Sequence, residues 1–366
     1  MNEESLKLTA YFGERDRAGG RSLADTLSAI YARHELRTSL LMRGVEGFGA
    51  KHQLRTDRLL TLSEDLPLVS VAVDTSTRIE TALADIGALR FDGLVTLERA
   101  RMLTGRIDEA RLPGEPDEAT KLTVYIGRHE RINGRPAYEA VVDLLRQRGI
   151  AGATVLLGVD GTAHGVRERA KFFALNAAVP LMVIAVGDGR RVAELLPELG
   201  RLLARPIITL ERVRVCKRDG ERLAEPPDLP EIDSAGSGVW QKLMIYLGEQ
   251  SHLDGRPIYH QLVRALRQGG ASGATTLRGI WGYHGDHEPH GDSFWRLRRR
   301  VPVITVVIDR PARIREWFAM VDELTTETGL VTAEMVPAVS ANGPELRRGG
   351  LKLAHLGRGG EERDAR

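Results

Sequence analysis

The chain alternates short runs of period-two hydrophobicity with longer stretches of helical periodicity. KLTVYIG and KLMIYLG alternate polar and apolar side chains and stop at a glycine, as half-buried strands do. Residues 135–148, RPAYEAVVDLLRQR, place apolar groups three and four apart after a proline, which predicts an amphipathic helix. GATVLLG and PLMVIAV then predict two strands, residues 188–204 a second helix, and PIITLERVRV a last strand. The predicted order is strand, helix, strand, strand, helix, strand.

This pattern occurs three times along the chain. LKLTAYFGERDRAGGR is followed by KLTVYIGRHERINGR and KLMIYLGEQSHLDGR, and the agreement continues beyond these segments. Matching residues of the three copies include Lys7, Lys121 and Lys242; Gly44, Gly158 and Gly279; Gly47, Gly161 and Gly282; Pro67, Pro180 and Pro302; and Glu98, Glu211 and Glu334. So many matches in one order indicate a threefold internal repeat.

The segments between the copies have a different composition. They are rich in Pro, Gly, Asp and Glu, as exposed linkers are, and the polar, glycine-rich C-terminal segment has no periodicity, which predicts disorder. The prediction divides the chain into repeats at 6–103, 120–216 and 241–338, linkers at 104–119 and 217–240, and a disordered tail at 339–366.

The order of elements predicts an α+β fold. It is that of the ferredoxin-like βαββαβ domain, an antiparallel sheet with both helices on one face. LPLVSVAVD, VPLMVIAVG and VPVITVVID are apolar on more than the side that helices can cover. Because a large apolar face is not stable in water, we predict that the three sheets cover one another. One chain would then be a monomer that forms an intramolecular pseudo-trimer.

Five motifs of the second copy resemble a known bacterial family. They lie at Lys121 to Gly127, Gly134 to Tyr138, Gly152 to Val155, Gly158 to Gly161 and Pro180 to Val186. Together they resemble the PII-like family called domain of unknown function 190, and the likeness extends over all three copies. The resemblance implies a PII-like trimeric arrangement with sheets inside and helices outside. It also implies effector sites, for nucleotides among other ligands, in clefts between subunits near the loop after the second strand.

Composition narrows the possible partners and location. The 52 Lys and Arg against 50 Asp and Glu leave a formal charge of +2, which does not indicate a nucleic-acid partner. The predicted third strands also lack the stacking aromatic residues of RNA recognition motifs. A single cysteine, Cys216, and an acidic rather than basic N-terminus favour the cytoplasm. The apolar runs are shorter than the roughly 20 residues of a membrane helix, so we expect no membrane-embedded segment.

The loops after the second strands carry the candidate binding residues. Their glycines allow close backbone approach, and the bases beside them suit a phosphate or carboxylate. A mobile loop with solvated charges is the alternative, because no P-loop pattern is present. The candidate effector contacts are Arg43, Gly44, Gly47, Phe48, Gly49 and Lys51 in the first loop, Arg278, Gly279, Trp281, Gly282 and Tyr283 in the third, and Arg21, Arg135 and Arg256 after the first strands.

Charges in these loops differ between copies. Arg43 and Arg278 correspond to Leu157, while Glu14 and Glu249 correspond to Arg128. The hypothesis is that the first and third loops keep an anionic site that the second has lost. Drift at unneeded surface positions is the alternative.

The third loop also contains a histidine cluster. His284, His287 and His290 lie among acidic residues, a composition that can bind zinc or copper, although the spacing matches no specific zinc signature. Trimeric copper-tolerance proteins of the wider PII-like fold make metal binding the alternative function. The neighbouring Trp281 and Tyr283 offer ring stacking, or packing against the domain.

No catalytic arrangement recurs at equivalent positions of the three copies, so we expect neither an enzyme nor a bound cofactor. The sequence predicts a PII-like signalling or regulatory protein. It would bind a small anionic metabolite or nucleotide between repeats and modulate a partner protein, for example a transporter.

Overall fold

The computed structural model describes residues 2–49, 53–56, 65–89, 91, 93–107, 118–163, 166–169, 179–234, 236–284, 290, 291 and 301–342. Within them the chain is an α+β protein of three repeats, each with the predicted βαββαβ order. Short strands in the loops add to each repeat. None of the helices in these ranges is long and apolar enough to cross a membrane.

The first repeat builds an antiparallel sheet. Its elements are β1 (Asn2–Gly13), β2 (Arg17–Ala18), β3 (Arg21–Ser22), α1 (Leu23–Arg33), β4 (Thr38–Arg43), β5 (Glu46–Phe48), β6 (Arg55–Thr56), β7 (Pro67–Thr75), α2 (Ser76–Gly87) and β8 (Gly93–Thr104). The four long strands lie in the order β4, β7, β1, β8, so the first strand is central.

The second repeat has the same plan and a longer C-terminal extension. Its elements are β9 (Ala119–Gly127), β10 (Arg131–Ile132), β11 (Arg135–Pro136), α3 (Ala137–Gln147), β12 (Gly152–Leu157), β13 (Asp160–Ala163), β14 (Val166–Arg169), β15 (Pro180–Asp188), α4 (Gly189–Leu202), β16 (Ile207–Arg212), β17 (Arg214–Arg218) and β18 (Glu221–Arg222). The long strands lie in the order β12, β15, β9, β16.

The third repeat completes the set. Its elements are β19 (Trp240–Gly248), β20 (His252–Leu253), β21 (Arg256–Pro257), α5 (Ile258–Gln268), β22 (Ala274–Arg278), β23 (Trp281–His284), β24 (His290–Gly291), β25 (Pro302–Asp309), α6 (Pro311–Leu324), β26 (Leu330–Val336) and β27 (Ala338–Asn342). The order β22, β25, β19, β26 repeats that of the other two sheets.

Each repeat adds the short strand of its glycine loop to the edge of another repeat. β5 of the first repeat pairs with β22 of the third, β13 of the second with β4 of the first, and β23 of the third with β12 of the second. All three pairings are antiparallel. The exposed edge strand of every repeat is therefore covered by a neighbour, which protects it from pairing with other chains.

The C-terminal end of each repeat pairs with another repeat in the opposite direction around the molecule. The end of β8 pairs with β16, β17 pairs with β26, and β27 pairs with β8. These pairings join the repeats into one thirteen-stranded and one eight-stranded sheet. The arrangement is consistent with a pseudo-trimer.

Four apolar cores follow from this topology. Three of them lie between the helices and the sheet of one repeat. The fourth lies between the three sheets, on the faces that the helices leave bare, and includes Met42, Val71, Tyr125, Ile184, Met244 and Ile304. The prediction that the sheets cover one another's apolar faces agrees with this central core.

Two segments outside the predicted repeats form strands. Residues 217–222, assigned to a linker, continue β17 and form a hairpin with β18, and residues 339–342, assigned to a disordered tail, belong to β27. Both segments are polar, but an edge strand is held by backbone hydrogen bonds, so a polar sequence can take that place. Residues 108–117 of the first linker and 343–366 of the tail lie outside the described residues.

Candidate functional site: inter-repeat clefts around an axial ring

Three lysines and three glutamates form a closed ring where the repeats meet. Each lysine lies on the first strand of a repeat, directly opposite the glutamate of that repeat's last strand. Within repeats the Nζ to Oε distances are 2.9 Å for Lys7 and Glu98, 3.4 Å for Lys121 and Glu211, and 3.1 Å for Lys242 and Glu334. Between repeats, Lys7 contacts Glu211, Lys121 contacts Glu334, and Lys242 lies 2.5 Å from Glu98.

This ring is buried and electrically balanced. None of its six residues is more than 8% exposed, and each charge touches two charges of opposite sign, one of them in another repeat. An unpaired buried charge is costly. A repeat on its own therefore has only one of the three ring contacts that its lysine and glutamate make in the whole chain.

At four of the six ring residues, the neighbouring opposite charges shift the pKa so that the charged form is favoured. Burial alone would raise the pKa of Glu98, but Lys242, Lys7 and Lys121 outweigh it and hold that pKa well below its usual range. The pKa of Glu334 is lowered in the same way. Burial would lower the pKa of Lys7 and Lys242, but the surrounding carboxylates raise both. For Lys121 burial is the larger effect, and its pKa is lowered.

A small chamber adjoins the ring between the three sheets. Alternate residues of the first strands line it in three layers. The first layer is the ring lysines, the second is Thr9, Thr123 and Met244, and the third is Tyr11 and Tyr125. The corresponding tyrosine of the third repeat, Tyr246, lies beside the chamber. Its volume is about 50 Å³, which is room for a few water molecules. The Met244 sulfur lies 3.5 Å from the Tyr246 hydroxyl, so the chamber is not threefold symmetric in detail.

The ring glutamates have the donor type and spacing of a cation site. Their ligand oxygens lie within 4.8 Å of one another, and no other such group occurs among the described residues. Each carboxylate, however, already contacts two ammonium groups. Because a cation would have to displace them, we interpret the ring as an ion-pair network that joins the repeats.

A cleft opens between the second and third repeats. Its walls include Ile184, Val186, Tyr246 and Leu330, and its volume is about 40 Å³. Arg218 from β17 and His284 from β23 bring nitrogen donors to this mostly apolar cleft. The His284 Nε2 atom lies 2.5 Å from Oδ1 of Asp219, which follows Arg218 in the chain.

The arginines predicted in the first and third loops each pair with a glutamate of the same repeat. Arg43 lies 2.8 Å from Glu14, and Arg278 lies 2.7 Å from Glu249. This pairing explains why the second copy differs at both positions. With Leu157 in place of the arginine, the glutamate position has no cation to pair with.

Glycines of these loops serve the strand pairing. The amides of Gly44 and Gly279 donate to the carbonyls of Pro67 and Pro302, at 2.7 and 2.8 Å. Gly282, on the strand β23, has a φ of 153°, and a Cβ there would lie 2.2 Å from the carbonyl oxygen of Ala153 in the neighbouring repeat. A Cβ at Gly47 would lie 2.6 Å from the Ala274 carbonyl. The repeated glycines therefore let a loop strand approach the next repeat closely.

Side chains of the loop strands fill neighbouring cores. Phe48 is buried in the core of the third repeat, and Tyr283 in that of the second, where its hydroxyl donates to the Ile150 carbonyl at 2.6 Å. Trp281 packs against the same core. Gly49 is exposed, and Lys51 lies outside the described residues. For Tyr283 and Trp281, these contacts support the packing alternative.

The three arginines after the first strands lie on exposed hairpins that precede the first helix of each repeat. They are Arg21, Arg135 and Arg256. Arg135 pairs with Glu139 and Asp143 of its own repeat, at 3.4 and 3.1 Å. None of the three lines the cleft between the second and third repeats.

The histidine cluster is only partly described. His284 contacts Asp219, and the backbone of His290 pairs with Gly282. His287 lies outside the described residues. Of the cluster on which the alternative of metal binding rests, one side-chain contact is defined.

Two groups of this site were not among the sequence candidates. The ring residues had a signal, because a lysine and a glutamate recur in strands at matching positions of every copy, where a solvated charge has no reason to persist. Arg218 had none, because it occurs in one copy only, in a segment with the composition of a linker.

Comparison with known protein families identifies the repeated unit. The model of the uncharacterised family described as domain of unknown function 190 (DUF190) matches residues 5–102, 119–215 and 240–338. The chain belongs to the DUF190 family. Three DUF190 units thus account for most of the chain, as the resemblance predicted.

Curated relatives correspond to a single DUF190 unit. A UPF0166 protein of Aquifex aeolicus is 29% identical over 97 residues, which cover 26% of this chain and 90% of that protein. A UPF0166 protein of Methanocaldococcus jannaschii is 31% identical over 84 residues, 22% of this chain and 76% of the relative. This chain carries three DUF190 units in one polypeptide, whereas each of these relatives matches one unit.

Proposed function

We propose that this DUF190 protein is a PII-like signalling or regulatory protein. Its three repeats act as a pseudo-trimer, bind a small anionic effector, a nucleotide or a metabolite, in clefts between repeats, and modulate a partner protein such as a transporter. The observation that carries the proposal is the cleft between the second and third repeats, whose wall includes the loop strand β23. A ligand there contacts two repeats and a loop together.

This geometry links binding to loop position. The third-repeat loop strand is held on β12 of the second repeat, and both strands contribute residues to the cleft. A ligand that binds one arrangement of these strands better than another shifts the population toward it. A change in the position of the loop strand would then report the ligand to a partner.

A thermal-shift panel tests effector binding. The full chain is heated with nucleotides and with dicarboxylates, and we expect at least one anionic compound to raise the unfolding temperature in a saturable way, because a ligand of the native state stabilises it. Light scattering should give the mass of one chain, 40.3 kDa, with and without that compound. A panel in which no anionic compound raises the unfolding temperature contradicts the proposal.

The same samples test whether the protein binds without catalysis. We expect bound nucleotide to be recovered unchanged. Turnover that a loop substitution abolishes would overturn the signalling role in favour of an enzyme.

The predicted loop contacts have their own test. Alanine at Arg43 and at Arg278 is expected to weaken binding of the panel compound, and alanine at Leu157 is not. An anion at either arginine has to compete with Glu14 or Glu249. Equal effects of the three substitutions contradict an asymmetric role of the loops.

A second candidate function is metal binding by the histidine loop, and the contact between His284 and Asp219 favours it, since both side chains are common ligands. Chelator-treated protein should then take up zinc or copper at micromolar concentration, and His284→Ala should reduce that uptake. Protein that takes up neither metal contradicts this candidate.

A further inference from the structure

The cleft between the second and third repeats holds a cation whose hydrogen-bonding needs are not met. Arg218 lines the cleft, and its Nε is shielded from solvent without a hydrogen-bond partner among the described residues. A buried donor left without an acceptor costs free energy, so such a group in a native protein requires an explanation. A ligand that accepts from the guanidinium provides one.

The backbone around Arg218 is built to hold it in the cleft. A bulge between Val215 and Lys217 shifts the register of β17, and Lys217 is buried against Asp322. After Arg218 the chain turns through Asp219 and Gly220, whose φ angles are 50° and 85°. The Asp219 amide donates to the Gly329 carbonyl at 2.7 Å. The arginine thus sits between a buried anchor and a tight turn.

The nearest acidic side chain in sequence is engaged elsewhere. Asp219 directs Oδ1 to the Nε2 atom of His284 at 2.5 Å. Glu221 lies opposite Arg218 in the hairpin but is exposed, and no ion pair joins the two within the described part of the chain. The guanidinium is therefore available to an external acceptor.

At the other two interfaces the residue in the register position of Arg218 is not a cation, although Arg37 donates to the Thr104 hydroxyl at 3.0 Å in one of them. Arg218 pairs with Leu330, and the residues in the corresponding register of the other interfaces are Thr104, opposite Ile207, and Ala341, opposite Leu94. His284 likewise corresponds to Ala163 and Gly49. At these two compared positions, an arginine and a histidine occur together only at the interface of the second and third repeats.

We propose that this cleft is a single oxyanion site, in which Arg218 binds the carboxylate or phosphate group of a small ligand. The proposal rests on the proposed effector function, and it places the site at Arg218 rather than at the loop arginines Arg43 and Arg278, with one site per chain. The planar guanidinium suits a two-pronged contact with either group. The enclosed volume of about 40 Å³ fits an anionic group, with an apolar remainder of the ligand against Val186 and Leu330.

Isothermal titration of the full chain tests the site. The probes are inorganic phosphate, adenosine monophosphate and succinate, which separate a phosphate group, a nucleotide and a carboxylate. We expect one of them to bind with one site per chain. Arg218→Ala should weaken it roughly 10- to 100-fold, as for the loss of a hydrogen bond to a charged group, and Arg218→Lys should restore it only in part. The matched controls are Thr104→Ala, at the equivalent position, and Arg214→Ala, an exposed arginine of the same strand, which should bind as the wild type does.

Stability without ligand separates a binding role from a structural one. Because Arg218→Ala removes an unsatisfied donor, the ligand-free variant should unfold at the wild-type temperature or above it. A large fall in that temperature indicates a structural role and overturns the proposal. Wild-type affinity in Arg218→Ala, or three sites per chain, also overturns it but leaves the effector function standing. If the wild type binds none of the probes, the proposal for this site fails. The thermal-shift panel then tests the effector function independently.

Discussion

The axial ring and the arginine–glutamate pairs at the base of the glycine loops, here called the loop bases, are two sets of ion pairs. The ring residues are the same in all three copies, and those of the loop bases are not. At the ring, all three copies have a lysine and a glutamate. At the loop bases, the first and third copies keep an arginine paired with a glutamate, while the second has Leu157 and Arg128.

The geometry of the two sets explains the contrast. Every ring residue contacts two charges, one of them in another repeat, so a change in one copy removes one of the two ion pairs of a partner in each of two copies. A loop-base pair lies within one repeat and is partly exposed, so its loss affects that copy alone. Fusion of the copies therefore permits divergence wherever a residue has no partner across the axis.

The largest expected effect is at the ring. Glu98→Gln leaves Lys7 and Lys242 each with one carboxylate instead of two, and we expect the free energy of unfolding to fall by about 3 to 5 kcal/mol, as when one partner of a buried ion pair is removed. Urea unfolding measures it. Glu221→Gln, at an exposed glutamate, should change stability by less than about 0.5 kcal/mol. A ring substitution as mild as this control would show that the network contributes little.

The ring should also set the response to acid. The pKa values of Glu98 and Glu334 lie below their usual range, so the stabilisation by these carboxylates is complete above the unfolded-state pKa of about 4.3 and is lost as the pH falls through the lower folded-state values. The stability difference between wild type and Glu98→Gln should therefore stay constant from neutral pH to about pH 5 and shrink below about pH 4. Urea unfolding across this range measures it. A difference that disappears above pH 5 would be inconsistent with a lowered pKa.

A smaller effect is expected where a loop strand enters a neighbouring core. Tyr283→Phe keeps the buried ring but removes the hydrogen bond to the Ile150 carbonyl, so we expect a loss of about 1 kcal/mol. Tyr138→Phe, at a partly exposed tyrosine of the second repeat, is the matched control. Equal losses in the two variants would mean that the hydroxyl contact between repeats is not stabilising.

The smallest effect should be at the loop bases. Arg43→Ala breaks a pair whose side chains are 42% and 37% exposed, and such surface pairs contribute at most about 1 kcal/mol. Added salt should reduce the difference from wild type further, because exposed charges are screened. A salt-independent loss as large as that of Glu98→Gln would erase the contrast between the two regions.

Much of the fold could be predicted because its signals are local and repeated. Period-two strands ending at glycine, helical periodicity between them and three aligned copies lead to the βαββαβ order. The apolar third strands lead to the central core, since those faces have to be covered. Agreement among three independent copies made weak single-copy patterns reliable.

The inter-repeat features depend on long-range contacts that local patterns do not carry. The strand Glu46–Phe48 is three residues long and lies between glycines, so it reads as a loop until β22 of the third repeat is placed beside it. Lys7 alternates as an outward strand residue would, and only the assembled axis makes its position a buried one. For the candidate site, the loop after the second strand was predicted from the sequence, and its residues Tyr283 and His284 line the cleft between the second and third repeats, while Arg218 required the register of β17 against β26.

The circular exchange of strands has a consequence for synthesis on the ribosome. The first repeat receives β13 from the second and β27 from the third, so its sheet edges are completed only when the last of these segments has emerged. Until then the nascent chain holds incomplete sheets with apolar faces, the kind of intermediate that aggregates or is held by chaperones. A truncation within the third repeat should consequently impair the solubility of the first, although a whole repeat separates the two in sequence.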